Sequence, residues 1–145
     1  MEITVDQALQ QGVTAHKEGK LQDAERLYRA ILQSQPAHPD ANHNLGVLAV
    51  GVGKVQEALP LFKAALESNS KQGQYWLSYI DALIKVGQLD TARSVLEQAT
   101  ELKPDYAQAY CNLGNALSAH GKHEAAITIY NKAIELKPDY AEAYN

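Results

Sequence analysis

Gly51-Val52-Gly53-Lys54 is the stretch of this chain closest to phosphate chemistry, because glycine amides beside a lysine can cradle an anion. A phosphate loop also needs a glycine five residues before Gly53 and a hydroxyl after the lysine. Leu48 and Val55 hold those places, so the tight turn and the metal-binding hydroxyl are both missing. Two histidine pairs come next. His120 and His123 are separated by Gly121, which should break a helix between them, and His38 and His43 straddle a helix start. Neither pair has a third ligand at metal-binding spacing, so no metal is expected. Asp90 and Glu124 stand where helices should begin, and negative charge there complements the helix dipole. No serine, histidine and aspartate are brought together by spacing. The residues that could do chemistry therefore predict a chain that is not an enzyme and holds no cofactor.

Gly53 has a different explanation. Gly19, Gly53, Gly87 and Gly121 recur every 34 residues, and so do Ala24, Ala58, Ala92 and Ala126. Tyr28, Phe62, Leu96 and Tyr130 share a third register, and Ile31, Ala65, Ala99 and Ala133 a fourth. Pro36, Pro104 and Pro138 mark a fifth, with Ser70 in place of the missing proline. A fixed period of this length means one supersecondary unit stacked on copies of itself. Such an array offers a long surface and no obvious place to gather catalytic groups.

Within each copy the apolar residues recur at intervals of three and four, as in Leu113, Ala116 and Leu117 and then Ile127, Tyr130 and Ile134. No segment alternates with period two. Each register glycine falls where a first helix must end, and the proline register stops the second helix. The spacing predicts eight helices near 5–18, 21–34, 39–52, 55–68, 73–86, 89–102, 107–120 and 123–136. Gly12 with Ala24, Gly46 with Ala58, and Gly114 with Ala126 are expected where paired helices approach closely. Ile80 replaces the small residue opposite Ala92, so the third hairpin should splay or repack. Pro60 should bend its helix. Thr4 with Gln7 reads as a capping box, and Asp105 with Gln108 and Asp139 with Glu142 read as capping pairs.

These registers resemble the tetratricopeptide repeat along almost the whole chain. The fullest copy runs from Ala107 to Tyr140, where Tyr110, Leu113, Gly114 and Leu117 match the first helix and Ala126, Tyr130, Ala133 and Pro138 the second. The resemblance implies a single domain over residues 1–145, an all-α, right-handed solenoid. Its four repeats lie at about 5–38, 39–72, 73–106 and 107–140, and residues 141–145 begin a fifth. It further implies a concave groove lined by the first helix of each copy. By register the groove holds Leu9, Val13, His43, Asn44, Val47, Leu77, Ser78, Asp81, Gln108, Cys111, Asn112 and Asn115, with His16, Gln10 and Gln74 among their neighbours. Cys111 is expected there as a reduced, accessible thiol. Amides and small apolar side chains together suit an extended peptide, whose backbone the amides can bond while pockets take alternate side chains.

Repeats that bind a chaperone's C-terminal carboxylate place lysine, arginine and asparagine at positions that here hold Leu9, Val13, Asn44, Gln74 and Ser78. One copy later these positions hold His43, Val47, Ser78, Gln108 and Asn112, again without a lysine or arginine. The stretch from Tyr106 to Leu117 is similar to the repeats that precede O-GlcNAc transferase domains, whose asparagine ladder grips a peptide backbone. Asn44 and Asn112 match that ladder, and Gln10 and Ser78 interrupt it. The function implied is a protein–protein interaction module that binds an extended peptide or partner segment. The alternatives are the substrate-presenting N-terminal arm of a larger bacterial-type glycosyltransferase or sulfotransferase, and a self-assembling scaffold.

Charge and hydropathy narrow the partners. Charged residues make up 21% of the chain and the net charge is −4, with no basic stripe for nucleic-acid phosphates. No apolar run is long enough to span a bilayer, and the first residues show no secretory signal. The single cysteine, Cys111, fits a reducing compartment. The expectation is a cytoplasmic protein with a protein or peptide partner, without nucleic acid or membrane. Pro138-Asp139-Tyr140 announces a further helix for which few residues remain. Ile127, Tyr130, Ile134 and Leu136 should then form an apolar stripe at an uncapped C-terminal end, through which copies of the chain are expected to associate.

Overall fold

The computed structural model describes residues 3–103 and 105–138. These form eight helices, α1 (Val5–Lys17), α2 (Leu21–Ser34), α3 (Pro39–Gly51), α4 (Val55–Ser68), α5 (Gly73–Lys85), α6 (Leu89–Leu102), α7 (Ala107–Ala119) and α8 (His123–Leu136). Every helix starts where the spacing predicts, each odd-numbered helix ends one residue sooner, and no strand occurs among the described residues. The chain packs as two compact units, Met1–Ala82 and Leu83–Asn145, with the division falling inside α5. The start of a fifth repeat and the capping pair Asp139 and Glu142 lie outside the described residues.

The register glycines end the odd-numbered helices. Gly53 has φ +84°, a left-handed conformation that costs a residue with a Cβ about 1–2 kcal/mol. Its amide donates to the Val50 carbonyl at 3.0 Å and the Lys54 amide to the Ala49 carbonyl at 2.8 Å, which satisfies the last carbonyls of α3. Gly51-Val52-Gly53-Lys54 is thus a helix stop followed by the entry to α4.

At the other helix ends the caps differ. Thr4 Oγ1 accepts from the Gln7 amide at 3.0 Å while Gln7 Oε1 accepts from the Thr4 amide at 2.9 Å, the reciprocal box expected for α1. His38 Nδ1 accepts from the Ala41 amide at 3.1 Å, ahead of α3, whose first residue is Pro39. Asp105 does not cap α7. Tyr106 holds the N-cap position without a side-chain cap, and Gln108 Nε2 donates instead to Asn112 Oδ1 at 3.0 Å. Asp105 stands one residue ahead of that N-cap position. At Ser70, where the proline register lapses, the Trp76 indole donates to the Ser70 carbonyl at 2.8 Å.

Packing distinguishes the two helices of the second and fourth hairpins. The second helices bury a narrow stripe, such as Ala24, Tyr28 and Ile31 on α2 or Ala126, Ile129 and Ala133 on α8. The arc is wider on α3, which buries Ala41, Asn42, His43, Leu45, Gly46, Leu48 and Ala49, and on α7, whereas α1 buries Ala8, Gly12 and Ala15 alone. Between paired helices, a glycine admits a ring. A Cβ on Gly46 would stand 2.5 Å from Phe62 Cε1, and one on Gly12 would stand 2.6 Å from Tyr28 Cε1. The glycine therefore yields to the aromatic residue four positions beyond the expected alanine. In the third copy Ile80 and Leu96 hold these two registers, and both are fully buried. Pro60 is exposed inside α4, which runs unbroken to Ser68.

Candidate binding face on the first helices

The odd-numbered helices share an open stripe. The stripe follows the spacing i, i+4, i+7, which lines up one helix face. On α3 it is Asp40, Asn44 and Val47, on α5 Gln74, Ser78 and Asp81, and on α7 Gln108, Asn112 and Asn115. The outer two residues of each are exposed and the middle one is half-buried. On α1 the stripe is Asp6, Gln10 and Val13, with Val13 half-buried. Eight of the twelve residues singled out by register, Val13, Asn44, Val47, Ser78, Asp81, Gln108, Asn112 and Asn115, fall on these stripes. Leu9 and Leu77 sit beside them, half-buried.

His43 and Cys111 depart from expectation. Both occupy the fifth position of their helix, one residue toward the core from the open stripe. Cys111 is 1% exposed within a run of buried residues, Ala109, Tyr110 and Cys111. It is a core thiol, not an accessible one. Three consecutive buried residues sweep about 200° of the helix, so the packed arc of α7 extends past the fifth position.

His43 is 8% exposed and anchors a polar cluster within the first unit. Its Nε2 lies 2.8 Å from Ser78 Oγ, and its Nδ1 lies 3.4 Å from Asn44 Oδ1. The imidazole stacks on Tyr75 at 4.7 Å between centroids and tilts against Phe62 at 5.5 Å. Gln74 Nε2 donates to Ser78 Oγ at 3.4 Å, and the Tyr75 hydroxyl donates to Asp40 Oδ1. Burial pushes the His43 pKa below its ordinary value, opposed by the Asn44 contact and the Asp40 charge. Burial also pushes the Tyr75 phenol up, reinforced by the hydrogen bond to Asp40 and its negative charge.

A histidine this close to a serine has the spacing of a base–nucleophile pair. Such a pair needs a carboxylate or amide that fixes the imidazole, and Asp40 is committed to Tyr75 while the Asn44 contact is long. The cluster ties α3 to α5 and consumes polar groups that the register had assigned to a ligand. Asp40 and Tyr75 escaped the sequence reading because both polar pairs join residues 35 apart, one more than the repeat.

An open notch lies on the N-terminal side of this cluster. Val13, His16, Lys17, Tyr28, Asn44 and Val47 line it, from α1, α2 and α3. Val47 is 38% exposed, and Lys17 is exposed on the last turn of α1. Tyr28 contributes to this lining although it is only 1% exposed. In the second unit the Tyr130 hydroxyl donates to Asn115 Oδ1, past a glycine, Gly114, whose Cβ would stand 2.5 Å from the ring. Lys17 and Tyr28 were missed because neither lies at a register position drawn from the open stripe.

Of the apolar stripe on α8, Ile127 is 59% exposed, and Tyr130, Ile134 and Leu136 are half-buried. Among the described residues no three histidine, cysteine, aspartate or glutamate side chains come together to hold a metal ion. No helix among them is long and apolar enough to cross a membrane.

Two family models described as tetratricopeptide repeat match the chain, one over residues 15–79 and one over residues 80–141. Among solved structures, a MamA protein matches at a TM-score of 0.82 with 24% identity, covering 97% of this chain and 76% of that one. A second MamA structure matches at 0.80 with 26% identity, covering 96% and 76%. YrrB, described as a TPR protein with an unusual peptide-binding site, matches at 0.77 with 26% identity, covering 92% and 69%. Among curated proteins none matches. The 34-residue period, the helix pairs and these likenesses converge, and the chain belongs to the tetratricopeptide repeat proteins, an all-α solenoid class.

Proposed function

We propose that this chain is a protein-interaction module that holds an extended segment of a partner against the open face of its first helices and performs no chemistry itself. The observation that carries the reading is the i, i+4, i+7 stripe of two exposed residues around a half-buried one, which recurs on α3, α5 and α7. Its amides, Asn44, Gln108, Asn112 and Asn115, suit backbone groups of a peptide, and Val13 and Val47 suit its side chains. The likeness to YrrB, whose description names a peptide-binding site, supports the same class of partner. Burying Val47 and its neighbours would add apolar area to whatever the amides contribute.

Selection of linear peptides from a random library against the immobilised chain tests the proposal. Selected peptides should compete with one another, and Val47→Glu and Asn112→Arg should each weaken a subset of them. Peptides that bind equally well to both variants would move the partner off this face and defeat the reading.

A further inference from the structure

The notch at the N-terminal end of the open face has a composition that the rest of the face lacks. Its apolar lining comes from Val13 and Val47 on neighbouring first helices, with the nearly buried Tyr28 at its base. Its polar lining comes from Asn44, His16 and Lys17, and no carboxylate is among the described residues that line it. Elsewhere in the first unit the open stripes carry Asp6, Asp40 and Asp81. The one formal charge at the notch is therefore positive, on a face that is otherwise acidic.

We infer that the notch takes an aliphatic side chain of the partner with an acidic residue directly beside it in sequence, an inference that rests on the groove-binding reading above. The aliphatic group lies between Val13 and Val47, which excludes water from both. Asn44 bonds the peptide backbone, and Lys17 pairs with the neighbouring carboxylate. Because Lys17 is exposed, its contribution is that of a surface ion pair, large enough to select between peptides and too small to bind one alone. A basic residue in the same place would meet Lys17 as a like charge.

Short Gly/Ser peptides, acetylated and amidated to remove terminal charge, test this when each carries one central pair, Ile-Glu, Ile-Lys, Ile-Gln or Ser-Glu. Fluorescence polarisation with the 145-residue chain should rank Ile-Glu first, ahead of Ile-Lys by roughly threefold to fivefold at low salt, with Ser-Glu weakest. Lys17→Glu should reverse the order of Ile-Glu and Ile-Lys, and Val47→Glu should weaken both while circular dichroism shows the helices intact. If Val47→Glu weakens binding but Lys17→Glu leaves the preference unchanged, the face binds peptides and the acidic-partner inference fails. If Val47→Glu has no effect, the groove reading fails and takes the inference with it. Absence of binding by Ile-Glu at about millimolar concentration also overturns the inference.

Discussion

His43 Nε2 and Ser78 Oγ lie 2.8 Å apart although 35 residues separate them in sequence. The bond joins first helices of successive copies and spends two groove-register side chains on each other. Ser78→Ala should leave the Nε2 of a nearly buried imidazole without its partner, at a cost of about 1–3 kcal/mol in chemical unfolding. Pairing that change with His43→Leu should lose less than the two single changes summed, because the unmet polar group is gone. Additive losses would mean the contact is incidental.

The same histidine makes stability depend on pH. Its folded pKa lies below the ordinary value of about 6.5, so near and below that pH the unfolded chain binds more protons than the folded one. Stability should therefore fall as pH drops through about 6.5 and continue to fall until the depressed folded value is passed. His43→Gln removes that group. Thermal midpoints of the two proteins between about pH 7.5 and 5 should converge on acidification, and parallel curves would rule His43 out as the cause.

How far the sequence reaches can be judged at individual positions. Gly19, Gly53, Gly87 and Gly121 located every turn within a hairpin, because a positive φ is a local demand that one residue type meets cheaply. Thr4 and Gln7 were legible for the same reason, being three residues apart. Partners from other helices were harder to read. Gly46 was matched with Ala58, whereas the atom that needs its space belongs to Phe62. Comparing copies at an offset of 34 aligns His43 with Leu77 and hides its bond to Ser78. Cys111 was placed by its position on an idealised face, and the burial of α7 is wider than that face allows.

Cys111 gives a direct check of that width. A thiol reagent should react slowly with the native chain and at an ordinary rate once the chain is unfolded, since a thiol 1% exposed needs an opening event first. A saturating groove-bound peptide should leave the slow native rate unchanged or slow it further by stabilising the fold. Rapid labelling of the folded protein would return Cys111 to the binding face and contradict the packing of α7.

Gly46 and Phe62 offer the sharpest test of the hairpin interior. A Cβ on Gly46 would fall 2.5 Å from Phe62 Cε1, a separation that real atoms do not tolerate, so either the ring or the backbone must move. Gly46→Ala raises helix propensity by up to about 1 kcal/mol, which alone would stabilise α3. Overpacking in a filled core costs about 1–3 kcal/mol, and the ring is 1% exposed with nowhere to retreat, so the net effect should be destabilising. The third copy suggests the remedy, since its sequence carries Ile80 and Leu96 in the same two registers. Phe62→Leu alone should cost stability by leaving space behind. Combined with Gly46→Ala it should recover much of both losses, the methyl group entering volume that the ring has left. Urea unfolding of the four proteins measures the coupling. Additive losses would mean that Gly46 is kept for some other reason than the ring it faces, and that the exchange seen at Ile80 and Leu96 is not a rule of this repeat.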